Sequence, residues 1–174
     1  MKNLITVLLL SLFVVSCGND TKKETIEEKS ADTTYYLIRH AEKNRSSETP
    51  DDPELMEAGQ LRAERWAAHF EDIELDAVYS TDYKRTQETA APVAKQKGLE
   101  VQSYDPRNLY DSDFQTQTQG KTVLIVGHSN TTPSFVNSII AENKYPSISD
   151  TENGMLYKVS LFKEGHEVEI NKID

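Results

Sequence analysis

From Thr34 onward, short apolar runs alternate with stretches of helical spacing. Tyr35-Tyr36-Leu37-Ile38 predicts a buried strand ending at Arg39-His40. Ala63, Trp66, Ala67 and Phe70 fall at i, i+3, i+4 and i+7, the apolar stripe of a helix. Ala77-Val78-Tyr79-Ser80 reads as a short strand, with Thr81-Asp82 as candidate caps for the next helix. Thr86, Thr89, Ala90, Val93 and Ala94 repeat at helical spacing, and Pro92 predicts a kink or restart there. Glu100 to Tyr104 is a further strand candidate. Val123-Leu124-Ile125-Val126, ended by Gly127, has the continuous apolar character of a central parallel strand. Asn130-Thr131-Thr132-Pro133 opens another helix. Leu156–Phe162 and Val168–Ile173 flank Lys163-Glu164-Gly165-His166 as a hairpin. Strands alternating with helices predict an α/β fold: a three-layer αβα sandwich, its central sheet mostly parallel with an antiparallel edge hairpin.

The chain begins differently. Lys2 supplies a positive start, Leu4 to Val15 is almost wholly apolar, and Ser16-Cys17 follows. This pattern is that of an export signal, and the run is shorter than the roughly 20 residues a membrane-spanning helix needs. Its position before the sole cysteine resembles a bacterial lipoprotein signal. That resemblance implies cleavage after residue 16 and lipid on Cys17, which would anchor the protein to a membrane. Gly18 to Thr33 is polar, with alternating charges and Ile26 as its one large apolar residue, so it cannot offset the entropy of ordering. The expected layout is a signal peptide over 1–16, a lipid-anchored disordered tether over 17–33 and one domain over 34–174. The domain would then be periplasmic or extracellular.

Acidic residues outnumber basic ones 29 to 19, a net charge of −10 that disfavours nucleic acid and anionic membrane surfaces as partners. One cysteine excludes an intramolecular disulfide framework and a Cys-rich zinc site. Against that acidic background, three strands end in Arg39-His40, in Ser80 with Arg85 beyond it, and in Gly127-His128-Ser129. Ligands of open α/β sheets bind beyond the carboxyl ends of the strands. Two guanidinium groups and two helix N-termini at that edge predict a phosphate-sized anion site. Histidine serves as a nucleophile, and neighbouring arginines favour its neutral form. Ser129 and Asn130 also read as helix caps, His69 and His166 as solvated, and Lys43 and Arg45 as loop charges.

Arg39-His40-Ala41-Glu42 resembles the Arg-His-Gly-Glu signature of the histidine phosphatase superfamily, in the branch of cofactor-dependent phosphoglycerate mutases and short phosphohistidine phosphatases. Ser80 to Ala90 is similar to its Ser-x-x-x-x-Arg-x-x-x-Thr-Ala motif, and Gly127-His128-Ser129 to its Gly-His-[Gly/Ser] motif. Leu55-Met56-Glu57-Ala58-Gly59 is similar to a weaker Leu-Ser-x-x-Gly. Ala41 stands where the family has glycine. The resemblance implies that His40 is phosphorylated and that Arg39, Arg85, His128 and Ser129 hold the phosphoryl group. It also implies a carboxylic acid for the leaving group, and no metal or organic cofactor. Leu109-Tyr110-Asp111 fits the family's Leu-x-Glu pattern with aspartate for glutamate; Asp105, Asp113 and Glu42 are rivals. A small phosphorylated substrate, and hydrolysis of a phosphomonoester, are expected. Phosphohistidine hydrolysis on a protein, a phosphoglycerate-type mutase and a non-catalytic anion-binding lipoprotein are the alternatives.

Overall fold

Each apolar run pairs with another. The structure, a computed structural model, describes residues 31–174; the signal-peptide boundary, Cys17 and most of the tether fall outside them. Among the described residues the strands are β1 (Thr33–Arg39), β2 (Ala77–Ser80), β3 (Val101–Ser103), β4 (Thr122–Gly127), β5 (Met155–Leu161) and β6 (His166–Lys172). They form one sheet in the order β3-β2-β4-β1-β5-β6. The first four are mutually parallel. β5 lies antiparallel to β1 and β6 antiparallel to β5, giving the expected edge hairpin. The helices are α1 (Glu57–His69), α2 (Lys84–Lys97), α3 (Ser112–Thr118) and α4 (Thr131–Ile140).

Alternation along the central strands divides the core in two. Tyr35, Leu37, Tyr79, Val123 and Ile125 join Phe114 of α3 and Phe135 of α4 on one face. Ile38, Val78, Leu124 and Val126 join Trp66 of α1 and Val93 of α2 on the other. A strand with side chains buried on both faces must be apolar at consecutive positions, which is why these runs are continuous.

Two local expectations are corrected, and two features are new. β1 already includes Thr33, whose neighbour Asp32 donates its backbone N–H to the Leu161 carbonyl, so strand pairing starts one residue earlier than the apolar run. α2 runs through Pro92, because its buried face of Thr86, Thr89, Ala90, Val93 and Ala94 holds it across the missing hydrogen bond. Its N-cap is Tyr83 rather than Thr81 or Asp82, and the Lys84 N–H is met by the Asp52 carboxylate from a distant loop at 2.8 Å. α3 was not legible, since its stretch is short and polar. The Asp111 carboxylate starts it by accepting from the Phe114 N–H, and Phe114 and Thr118 bury one side.

Gly59 explains the weaker Leu-x-x-x-Gly motif. α1 crosses so close to the segment after His40 that a Cβ on Gly59 would stand 2.2 Å from the Glu42 carbonyl oxygen. Arg62, one turn later in α1, grips the Glu42 carboxylate at 2.9 Å. The helix therefore fixes the backbone just beyond β1.

Candidate active site

β1 and β4 place Arg39 opposite Gly127, and the His40 N–H continues the pairing by donating to the Gly127 carbonyl at 2.9 Å. His40 and His128 consequently leave the sheet side by side, their ring centroids 5.5 Å apart. β2 adds Ser80 opposite Val126, so Thr81 emerges next to His128. Arg85 follows at the start of α2. Thr89, one turn later, accepts from the Ala41 N–H at 2.9 Å and donates to the Arg85 carbonyl at 2.6 Å. This single hydroxyl ties the His40 loop to the helix that carries Arg85, which gives the Arg-x-x-x-Thr spacing its meaning.

The resulting cleft, of about 430 Å³, is lined by Arg39, His40, Lys43, Tyr83, Arg85, Pro106, Arg107, His128, Ser129, Asn130, Thr131 and Asp150. A larger cavity of about 830 Å³ opens at the start of β1, but Asp32 and Lys163 are the charged residues lining it. Chemistry rather than size selects the cleft. Four of the expected residues, Arg39, His40, Arg85 and His128, converge there, with Ser129 beside them. Asp111 does not line it: one carboxylate oxygen caps α3 and the other accepts from Asn108. Of its rivals, Asp105 pairs with Arg107 and Asp113 sits exposed in the first turn of α3. Glu42 pairs with Arg62, on the wall of a neighbouring pocket that it shares with His40.

Within the cleft the imidazoles are oriented. His40 is 4% exposed, and its Nδ1–H donates to the Ala41 carbonyl at 2.7 Å. The proton on Nδ1 leaves Nε2 with a free lone pair. His128 sits between the Thr81 hydroxyl, 2.9 Å from Nε2, and Arg85 Nη2, 3.4 Å from Nδ1. Guanidinium only donates, so Nδ1 accepts and Nε2–H donates to Thr81. Burial first, then the charges of Arg39, His128 and Arg85, push the His40 pKa down to about 3. Burial and the charges of Arg85, Arg39 and Lys43 push His128 down to about 4. Both rings are neutral near pH 7, as a nucleophilic nitrogen requires.

The arginines are arranged unequally. Arg39, 1% exposed, spends its Nη groups on the Ser149 and Glu152 carbonyls and on the Asp150 carboxylate, at 2.7–3.0 Å. Its Nε carries no hydrogen bond. Arg85 stacks over the Tyr83 ring at 4.3 Å; its buried Nε and Nη1 carry no hydrogen bond, and Nη1 lies 3.8 Å from the Asp52 carboxylate. Burial lowers the pKa of both guanidinium groups, although Asp150 beside Arg39 and Asp52 beside Arg85 act in the opposite direction. The expectation of two open forks is therefore corrected: Arg39 offers one N–H, because the segment after α4 occupies the rest.

Three buried guanidinium nitrogens of Arg39 and Arg85 without a hydrogen bond, in residues that line one cleft with His40, make a setting suited to an oxyanion. Residues 35–107 match the model of the histidine phosphatase superfamily, branch 1. No curated protein matches the chain in sequence. Among solved structures, the protein histidine phosphatase SixA complexed with tungstate is 13% identical, with a TM-score of 0.65 over 80% of this chain and 96% of that one. Phosphoglycerate mutase from Bacillus anthracis is 16% identical, with a TM-score of 0.60 over 82% and 94%. Mycobacterial glucosyl-3-phosphoglycerate phosphatase, complexed with VO3, is 12% identical, with a TM-score of 0.60 over 82% and 99%. At these identities the likeness is one of fold, and the fold is that of the histidine phosphatases.

Sequence reasoning missed Asp150, Thr81, Tyr83 and Asn153, whose amide donates to the His40 carbonyl at 2.9 Å. Asp150 lies 111 positions from Arg39 in a loop with no motif, so nothing local signals it. Thr81 stood out only as a cap candidate.

The lowered histidine pKa values make acid stability a direct readout. As pH falls from 6.5, the unfolded chain binds protons that the folded imidazoles refuse, so stability drops until the folded pKa values near 3 and 4 are reached. Between pH 6.5 and 5 each imidazole accounts for about 2 kcal/mol. Urea unfolding at both pH values should show a smaller loss in His40→Gln and in His128→Gln than in the unsubstituted protein. An equal loss would mean the rings are not held neutral.

Proposed function

We propose that the chain is a histidine phosphatase that hydrolyses a phosphomonoester through a phosphohistidine on His40, without metal or organic cofactor. The observation that carries this reading is the His40 ring itself, its Nδ1–H fixed on Ala41 and its Nε2 free beside unpaired donors of Arg39 and Arg85. The Nε2 lone pair attacks phosphorus, and the bond to the leaving oxygen breaks with its electrons. Arg39 Nε–H and Arg85 Nε–H and Nη1–H take up the charge spreading over the phosphoryl oxygens. Water then attacks phosphorus, and the N–P bond returns its electrons to Nε2. Thr81 supports a role for His128: by accepting Nε2–H it keeps the Nδ1 lone pair toward Arg85, so the ring orients that guanidinium in the cleft.

The weak point is protonation of the leaving oxygen, since Asp111 is committed to α3 and Glu42 to Arg62. That favours leaving groups that depart without help, and it is the specific support for the second reading, hydrolysis of phosphohistidine, whose leaving imidazole is already protonated. A mutase or a purely anion-binding protein has no comparable observation in its favour. The proposed partner is a small phosphorylated molecule. Contact with a membrane is proposed only through lipid on Cys17, with the domain outside the cytoplasm. Among the described residues no helix is long and apolar enough to cross a membrane.

With a series of aryl phosphates, the rate should rise steeply as the leaving phenol becomes more acidic. Asp111→Asn should keep that slope, whereas a flattened dependence in the unsubstituted protein would reveal a working acid. His40→Ala should lower turnover on the order of a thousandfold or more and abolish acid-labile phosphoenzyme in a quenched reaction. Retained phosphoenzyme would remove His40 from the chemistry. Cys17→Ser in the full chain should move the protein from the membrane fraction to the soluble one; unchanged fractionation would refute lipid anchoring at Cys17.

A further inference from the structure

Resting on that phosphatase reading, we infer that Lys43 selects substrates whose leaving group carries a second anionic group, such as a carboxylate. Lys43 stands in the lip after β1, and its backbone is pinned there by a bridge to Leu55. Its side chain is half-buried and lines both the cleft and the adjoining pocket of about 270 Å³. The other charges of these two walls are spoken for. Asp150 joins Arg39 to Arg45, Glu42 joins Arg62, and Asp105 joins Arg107. Among the described residues no carboxylate lies within ion-pair distance of Lys43. Acidic residues outnumber basic ones 29 to 19 along the chain, yet among the described residues none is placed on this ammonium. The Lys43 ammonium therefore reaches solvent at the lip without a carboxylate partner, open to an incoming anion.

The transferred phosphoryl group does not need it. Arg39 and Arg85 already line the cleft with guanidinium nitrogens that carry no hydrogen bond. In-line attack sends the leaving group away from His40, and Lys43 is among the cleft-lining residues that can meet it. A flexible stem ending in a point charge suits a leaving-group anion of variable position better than a fixed fork does.

The test compares phenyl phosphate with 4-carboxyphenyl phosphate on the protein and on Lys43→Met and Lys43→Arg. The ratio of kcat/KM for the carboxylated substrate to that for phenyl phosphate should fall about fivefold in Lys43→Met, chiefly through KM, and recover in Lys43→Arg. Working with ratios cancels the difference in leaving-group acidity. An unchanged ratio with both rates lowered would assign Lys43 to the transferred phosphoryl group, and an unchanged ratio with no loss would make it a bystander; either overturns the inference alone. Absence of phosphate release from both substrates by the unsubstituted protein would instead overturn the phosphatase reading beneath it.

Discussion

The parallel pairing of β1 with β4 sets the terms for everything at the cleft. Because Arg39 lies opposite Gly127, and because the His40 N–H extends the ladder by one more bond, two histidines 88 positions apart leave the sheet at the same level. A register shift of one residue would turn His40 toward a helix layer and Arg39 outward. The pairing tolerates no bulk at its end: a Cβ on Gly127 would meet the Tyr104, Thr131 and Thr132 hydroxyl oxygens at 2.9–3.0 Å. The sheet end is thus a crowded floor, and the imidazoles stand on it with little freedom.

That floor is also where the protein concentrates positive charge out of water. Two buried guanidinium groups keep nitrogens without a hydrogen bond, and burial, aided by their charge, suppresses protonation of both imidazoles. The same arrangement that makes the free protein electrostatically uncomfortable makes a phosphoryl group welcome, since its oxygens would satisfy donors that otherwise stay desolvated. Asp150 moderates the effect by holding Arg39 and Arg45 together, which keeps one guanidinium oriented while leaving its Nε available.

Much of this was legible because it is local. The sheet could be read from continuous apolar runs, and Arg39, His40, Arg85 and His128 from their places just past those runs. Asp111 misled because a Leu-x-Asp pattern says nothing of which way a loop carboxylate turns; capping α3 satisfied it first. Asp150 and Asn153 were invisible for the complementary reason. Their partners lie 111 and 113 positions away, and an irregular loop carries no periodicity to announce a contact. The direction of the Arg39 fork was likewise beyond sequence, since it is decided by two backbone carbonyls of that loop.

The convergence of these donors on one tetrahedral anion is best tested by a crystal structure of the protein soaked with tungstate. The account predicts one oxyanion in the cleft, its metal centre within covalent reach of His40 Nε2 and its oxygens on Arg39 Nε and Arg85. An oxyanion bound elsewhere, or one in the cleft that ignores His40, would contradict it.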